Sequence, residues 1–341
     1  MGNINKFSDL WYNNVKTIQE MREYEEIKNR SIIMPFVPSD RRVCKREKVK
    51  NKTVTLEYQN KKYEGQYTGL MKNDKPTKGT FSYKKGDDYL TYKGKISNGK
   101  MSGEGTLDTN LMTAYFIGKK CEGRYKGIVS GGKASKKGRF EFVSPKDFKN
   151  AVYQGSWHAN MANGEGRLDF SVGGKWAMTG HFDTGYFDPT TFEIYQTMGT
   201  LEEIEYKISP KAKTFIEEND SLFMAKKETD LAPYVDSSLS HHDVLKKSGD
   251  YGDELMKFSD YTVLNTELNE KVFGRNLSLV LLGLPSENAY IYVICLDPLK
   301  DVSFNSTQTV YGLPLSSAEY TMQSGKKLKV LIVAGSFLKH Q

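Results

Sequence analysis

Between Tyr63 and Phe182 bulky residues alternate with polar ones at period two, and a glycine recurs between two bulky positions. Five segments share this form: Tyr63-Glu64-Gly65-Gln66-Tyr67, Tyr92-Lys93-Gly94-Lys95-Ile96, Cys121-Glu122-Gly123-Arg124-Tyr125, Tyr153-Gln154-Gly155-Ser156-Trp157 and Met178-Thr179-Gly180-His181-Phe182. Alternation at period two predicts strands with one buried face. The glycines Gly65, Gly94, Gly123, Gly155 and Gly180 follow one another at steps of 29, 29, 32 and 25 residues. Four copies carry a second strand-like segment with its own glycine: Gly79-Thr80-Phe81, Gly105-Thr106-Leu107, Gly138-Arg139-Phe140 and Gly166-Arg167-Leu168. Gly103-Glu104-Gly105-Thr106-Leu107-Asp108 recurs as Gly164-Glu165-Gly166-Arg167-Leu168-Asp169 at a displacement of 61, the same displacement that carries Gly94 to Gly155. A recurring interval of this kind is the mark of an array of supersecondary units.

Turn formers separate the paired segments: Asn73-Asp74-Lys75-Pro76, Asn98-Gly99, Ser130-Gly131-Gly132 and Asn160-Met161-Ala162-Asn163. Each unit therefore reads as a β-hairpin. The glycine shares a face with the bulky residues two positions to either side, and with no Cβ it leaves a gap for a neighbour's ring. A lone hairpin is marginal in water, so the units must stack and share a core.

Tyr63-Glu64-Gly65-Gln66-Tyr67 followed by Gly79-Thr80-Phe81 resembles the MORN repeat, and the likeness extends over residues 60–195. Cys121 and Met178 stand where that repeat has aromatics, and the fifth unit lacks the second glycine pair, so it is read as a cap. The resemblance implies an open array of stacked antiparallel β-hairpins, placed at 41–200. It also implies a role in scaffolding, dimerisation or membrane-lipid contact, with no catalysis attached to the repeat. On this reading Gly65, Gly94, Gly123, Gly155 and Gly180 are structural. Tyr63, Tyr67, Tyr92, Tyr125 and Trp157 form the contact face for a partner or a second copy. The competing reading makes the same rings the core between repeats.

The flanks have other patterns. Phe7, Leu10, Trp11, Val15, Ile18, Met21, Tyr24 and Ile27 fall at spacings of three and four, which predicts an amphipathic helix over 7–27. Its polar face is mixed in sign, unlike a basic membrane-surface helix. Pro35 and Pro38 end it in an extended connector, so 1–40 reads as helix and linker. After the array, Ser209-Pro210 opens a helix ending near Lys226, and a second short one is expected around Ser240–Lys247, giving a helical linker at 201–250. Leu255–Leu264, Asn276–Leu282, Tyr290–Leu296, Thr307–Leu313 and Leu328–Val333 then read as five strands of a small β-barrel at 251–341. The run from Gln308 to Leu313, with Tyr320, Gly325 and the terminal Val330–Ala334, is similar to OB-like domains of bacterial proteins. That likeness implies binding of single-stranded nucleic acid, nucleotide or oligosaccharide. Tyr290 and Tyr292 share a face, but Lys326, Lys327 and Lys329 are the one local basic cluster. The fold class expected is thus mainly β: a hairpin array between an N-terminal helix and a C-terminal OB-like barrel.

Composition changes this picture little. Aromatic content sits in 21 Tyr and 17 Phe against 3 Trp, in keeping with a β-rich array. The net charge of +7 is uneven. Arg41, Arg42, Lys45, Arg46, Lys48, Lys50 and Lys52 accompany a single acid, Glu47, whereas acids outnumber bases between Leu201 and Asp260. The basic run reads as a soluble edge strand, and otherwise as a contact for an anionic surface or nucleic acid. No apolar run of membrane-spanning length occurs, and Met1–Lys6 matches neither a secretory leader nor the myristoylation pattern. Cys44, Cys121 and Cys295 are odd in number and isolated, which suits reduced thiols in a cytoplasm.

Catalytic and metal signatures are missing. His158 and His181 occupy equivalent strand positions, and His241-His242 project about 100° apart on a helix. No Cys-x-x-Cys or His-x-x-x-His spacing occurs. Gly103-Glu104-Gly105 and Gly164-Glu165-Gly166 lack the helix and Lys-Ser/Thr of a phosphate loop. No metal, cofactor or catalytic residue is expected. The expected function is non-enzymatic protein binding or scaffolding, by a protein partner or self-association, with ligand binding by the barrel as the alternative.

Overall fold

The computed structural model describes residues 46–170, 176–201, 204–272, 275–299, 302–322 and 325–340. The helix expected over 7–27, the connector after it, Arg41–Lys45 and Cys44 lie outside the described residues. The chain divides into two compact units. One contains residues 46–170 and 181–186, the other 176–180 and the chain from 187 onward. Among the described residues no helix is long and apolar enough to cross a membrane.

The first unit is a run of antiparallel hairpins. Its strands are β1 (Arg46–Tyr58), β2 (Lys61–Lys72), β3 (Lys75–Lys85), β4 (Asp88–Ser97), β5 (Lys100–Phe116), β6 (Lys119–Ser130), β7 (Lys133–Ser144), β8 (Val152–His158) and β9 (Met161–Phe170). They neighbour one another in chain order, followed by β10 (Trp176–Asp183) and β11 (Tyr186–Phe187). Local sequence sets most of the turns. Both central residues have positive φ at Gln59-Asn60, Asn73-Asp74, Asn98-Gly99, Ile117-Gly118, Gly131-Gly132, Ala159-Asn160 and Thr184-Gly185. That geometry matches the twist of the flanking strands and favours Asn, Asp and Gly. The fourth expected turn moves two residues toward the N-terminus: Ala159-Asn160 makes it, and Met161–Asn163 already belong to β9.

The repeat is built on tyrosines laid over glycine pairs. Gly69, Gly79, Gly94 and Gly105 face one another across β2–β5, and Gly127, Gly138, Gly155 and Gly166 do so across β6–β9. Tyr67, Tyr92, Tyr125 and Tyr153 each stand two residues before one of these glycines, and their rings occupy the space that a Cβ would need. Each hydroxyl donates to the carbonyl three residues on: Leu70, Lys95, Ile128 and Ser156, at 2.7–2.9 Å. The structural repeat is therefore a four-stranded block, present twice. Gly94 and Gly155 serve it as read from sequence. On β2 and β6, however, the matching glycines are Gly69 and Gly127. Gly65 and Gly123 lie four residues earlier and face the rings of Phe81 and Phe140. Gly180 differs again, with φ of +146° and the Glu193 side chain against it.

The sheet coils. The end of β1 meets the start of β5 (Glu57 beside Lys100), and the end of β5 meets the start of β9 (Tyr115 beside Met161), both in parallel. At 17 residues β5 is long enough to serve both blocks. Inside lie Phe81, Phe116, Tyr125, Phe140, Phe142, Tyr153 and Trp157, all buried. Trp157 is edge-on to Phe116, Tyr125 and Tyr153 at 5.1–5.5 Å, and its Nε1 donates to the Gly138 carbonyl.

In the second unit, α1 (Thr191–Met198) starts from a capping box in which Thr190 and Glu193 bond each other's backbone amides. Ser209 caps α2 (Pro210–Glu218) with proline at the first position, as its sequence predicts. The helix then tightens into a 3-10 segment, Asp220–Met224. A third helix, α3 (His241–Lys246), inserts Val244 into the barrel core. The five expected strands form as β12 (Met256–Val272), β13 (Arg275–Leu284), β14 (Ala289–Cys295), β15 (Thr307–Thr321) and β16 (Lys327–His340). They close a barrel in the order β12-β13-β14-β16-β15, with β14 and β16 parallel and the other neighbours antiparallel. Val280, Leu282, Ile291, Val293, Val310, Leu331 and Val333 belong to its core.

Candidate functional site

Four of the five rings expected to meet a partner are core residues. Tyr67, Tyr92, Tyr125 and Trp157 are buried, and only Tyr63 is partly exposed. The contact-face reading is corrected for those four: their rings fill the spaces over the glycines and seal the inside of the coiled sheet. The sheet's other surface carries short polar and charged side chains such as Thr68, Thr80, Lys93 and Lys126.

What the coil creates is a cleft of about 750 Å³ within the first unit, between the two four-stranded blocks. Its walls come from the end of β1, the start of β2, both ends of β5, the start of β6 and the turns at Gly131-Gly132 and Asn160. Tyr58, Met101 and Met112 line it and are nearly fully buried. Tyr63 and Tyr115 add partly exposed rings, and Tyr115 is 49% exposed.

Side-chain-to-backbone bonds hold these walls. The Gln59 amide donates from Nε2 to the Thr113 carbonyl (3.1 Å) and accepts at Oε1 from the Thr113 amide (3.0 Å). Strand β5 bulges between Thr109 and Met112, which displaces Asn110 and Leu111. The bulge is pinned: the Thr109 hydroxyl donates to the Tyr89 carbonyl (2.7 Å) and accepts from the Leu111 amide (3.0 Å), while Asn110 Oδ1 accepts from the Tyr89 amide (2.9 Å). Asn160 fixes the opposite wall by accepting at Oδ1 from the Ala134 amide (2.6 Å).

The cleft's charges are mixed. Lys100 pairs with Glu57 at 2.9 Å, and Lys120 lies 3.9 Å from Glu122. Lys61, Lys133 and Asp88 complete the ionic lining, with no ion-pair partner among the described residues. Burial raises the Tyr58 phenol well above its ordinary range, with smaller contributions from Tyr125 and Tyr63. Its hydroxyl is buried and makes no hydrogen bond among the described residues. The Tyr63 phenol is also raised, by burial first and then by Tyr83 and Asp88.

The remaining candidates lie apart from the cleft. His181 sits 3.8 Å from Glu165, and His158 is exposed at the end of β8. His241 Nδ1 bonds the Tyr261 hydroxyl at 3.1 Å, and burial lowers its pKa to about 4, aided by His242. Cys121 and Cys295 are free and buried, each thiol pushed up to about 12 by burial. Among the described residues no three His, Cys, Asp or Glu side chains cluster as metal ligands. Gly103–Gly105 and Gly164–Gly166 lie on β5 and β9. In the barrel Tyr290 and Tyr292 are buried, and Lys327 is paired with Glu319. A second cavity of about 290 Å³ is lined by Lys226, Cys295, Asp297, Ser336 and their neighbours.

Sequence reasoning missed the cleft. Tyr58, Gln59, Met112 and Tyr115 stand outside the repeat motif, and only the coil brings them together. The one available signal was the unusual length of strand pattern between Lys100 and Phe116. Comparison with protein-family models and with curated proteins yields no match.

Proposed function

We propose that this chain is a non-enzymatic binding protein whose MORN-like hairpin array is a rigid scaffold for a recognition cleft. One observation carries the reading: the array's aromatic rings are spent on its own core, while the two blocks enclose a polar cleft with half-exposed tyrosines at its wall. A pocket of this size, held by backbone bonds from Gln59, Thr109 and Asn160, suits a preorganised ligand site. Mixed charges without a nucleophile–base pair favour recognition over chemistry. Self-association by edge pairing is a weaker reading, because β1 carries Lys48, Lys50 and Lys52 and a backbone irregularity at Asn51, features that discourage edge pairing. Two buried free thiols support a reducing, cytoplasmic setting.

A photo-crosslinking residue placed at Tyr115, with Tyr234 as the control position, tests the assignment in cells. Adducts are expected at position 115 and not at 234. Equal labelling at both positions, or none at 115, would refute it.

A second reading keeps the barrel as the ligand-binding part. The strand order one-two-three-five-four with a parallel third and fifth strand supports an OB-like fold. Burial of Tyr290 and Tyr292 removes the rings that base stacking would use. Oligonucleotide titration at low salt separates the readings, since phosphate binding weakens steeply with ionic strength.

A further inference from the structure

We infer that the cleft of the hairpin array binds a neutral oligosaccharide. This rests on the cleft being the recognition site and specifies what enters it.

The wall charges select against ionic ligands. A polyanion entering the cleft meets Glu57, Asp88 and Glu122, and a polycation meets Lys61, Lys100, Lys120 and Lys133. Either loses hydration that its contacts return only in part. Lys100 is paired with Glu57 at 2.9 Å and Lys120 lies 3.9 Å from Glu122, while Lys61 and Lys133 stand as further donors and Asp88 as an acceptor. A sugar hydroxyl donates and accepts together, so it engages both signs without importing charge.

The rings supply the second half of the match. Tyr115 presents half of its surface to solvent and Tyr63 is partly exposed, each offering a flat apolar face with a polar tip. A pyranose has a C–H face that stacks on such a ring while its hydroxyls reach the surrounding polar groups.

The third observation is the Tyr58 hydroxyl. Tyr58 lines the cleft, and its hydroxyl, which has almost no accessible surface, has no hydrogen-bond partner among the described residues. An unsatisfied buried hydroxyl is unusual and calls for a partner. A ligand hydroxyl, or a water carried in with it, would supply one once the Tyr58 lining gives way enough to admit it.

The test uses the full chain with methyl-labelled methionine, read by NMR at Met101 and Met112. The probes are maltotriose, cellotriose, chitotriose and xylotriose, beside inorganic phosphate and a pool of capped neutral tetrapeptides. At least one trisaccharide should shift both methyls saturably, with an affinity that added salt leaves unchanged. Tyr115→Ala should weaken that binding by about tenfold through the lost stacking ring. Tyr58→Phe should weaken it by about fivefold, one neutral hydrogen bond, while leaving the unfolding midpoint unchanged or raised. A purely structural Tyr58 would alter the midpoint alone. Shifts from the tetrapeptides or phosphate but from no saccharide would overturn the sugar and leave the cleft as a recognition site. Silence from every probe, or saccharide binding indifferent to both substitutions, would also overturn the inference. Crosslinking at Tyr115 judges the underlying recognition site separately.

Discussion

The seating of a tyrosine ring over paired glycines makes a quantitative claim about Gly138 and Tyr125. A Cβ built on Gly138 would lie 2.5–2.7 Å from the Tyr125 Oη, Cε2 and Cζ, and those are the three nearest atoms to it. Gly138→Ala therefore forces the ring off its site. Overpacking of this kind costs about 1–3 kcal/mol. Displacing the hydroxyl from the Ile128 carbonyl, now 2.7 Å away, adds about 1 kcal/mol. Tyr125→Ala alone should cost about 3–5 kcal/mol, in the range of buried aromatic truncation. With the ring gone, the three nearest obstacles to an alanine at 138 are gone too, so the second substitution should add little further cost.

The double variant should therefore be about 2–4 kcal/mol more stable than the sum of the single effects predicts. Native-state hydrogen exchange of peptides spanning β6 to β8 reads the array without interference from the barrel. Gly103→Ala is the control. It has φ of +62° and no atom within 4 Å of the added Cβ, so it pays only the left-handed conformation, about 1–2 kcal/mol. Additivity of Gly138→Ala and Tyr125→Ala within about 0.5 kcal/mol would refute the ring-over-glycine account. So would a Gly138→Ala cost no larger than that of Gly103→Ala.

Three further outcomes are expected. His241 has its pKa depressed to about 4 by burial, from 6.5, so the unfolded chain binds the proton more tightly. Its contribution is fully present above pH 6.5 and is lost as the pH falls from 6.5 toward 4. The shift sets an upper limit of about 3 kcal/mol, reduced to about 1–2 kcal/mol because part of the ring is open to solvent; exchange in the barrel measured across this range should show the slope, and His241→Gln should remove it. Cys121 and Cys295, buried and raised to about 12, should resist alkylation at neutral pH in the folded chain and react on unfolding, as peptide mapping would show. Thr109→Val keeps the shape but leaves the Tyr89 carbonyl and the Leu111 amide without the hydroxyl, so urea unfolding of the array should show a loss of about 1–3 kcal/mol.

The hairpins were legible because each strand carries its own pattern and most turns carry Asn, Asp or Gly where φ must be positive. The barrel strands were legible as apolar runs between turn formers: each start falls within one residue of the expected one, but β12, β15 and β16 run seven or eight residues past the expected ends, where the pattern turns polar. The frame of the repeat was harder. Tyr63-Glu64-Gly65-Gln66-Tyr67-Thr68-Gly69 contains two overlapping Tyr-x-Gly motifs four residues apart, and Cys121–Gly127 repeats the ambiguity. The pattern at period two cannot separate frames that differ by an even number, since both point to the same face. What separates them is the hydroxyl: Tyr67, Tyr92, Tyr125 and Tyr153 each find a carbonyl three residues on, whereas Cys121 in the rejected frame has no ring to lay over a glycine.

The same argument explains why four of the five expected contact rings are core residues and why the cleft went unseen. A repeat motif marks the positions each unit must share, and in a stacked array those are the positions that pack unit against unit. Residues that meet a ligand fall where the repetition is broken. Here the break is β5, which runs through the junction of the two blocks and bulges at Asn110-Leu111. Nothing in Thr109-Asn110-Leu111-Met112 departs from an ordinary strand, because the bulge is imposed by bonds to Tyr89 from the neighbouring β4. The parallel contacts of β5 with β1 and β9 then bring Tyr58 and Tyr115 to one cleft from positions 57 residues apart in sequence. An array whose shared aromatics are consumed by its own core can recognise a partner only through such irregular positions, so substitutions at the partly exposed Tyr63 and Tyr115 should separate binding from stability where those at Tyr67, Tyr92 and Tyr125 cannot.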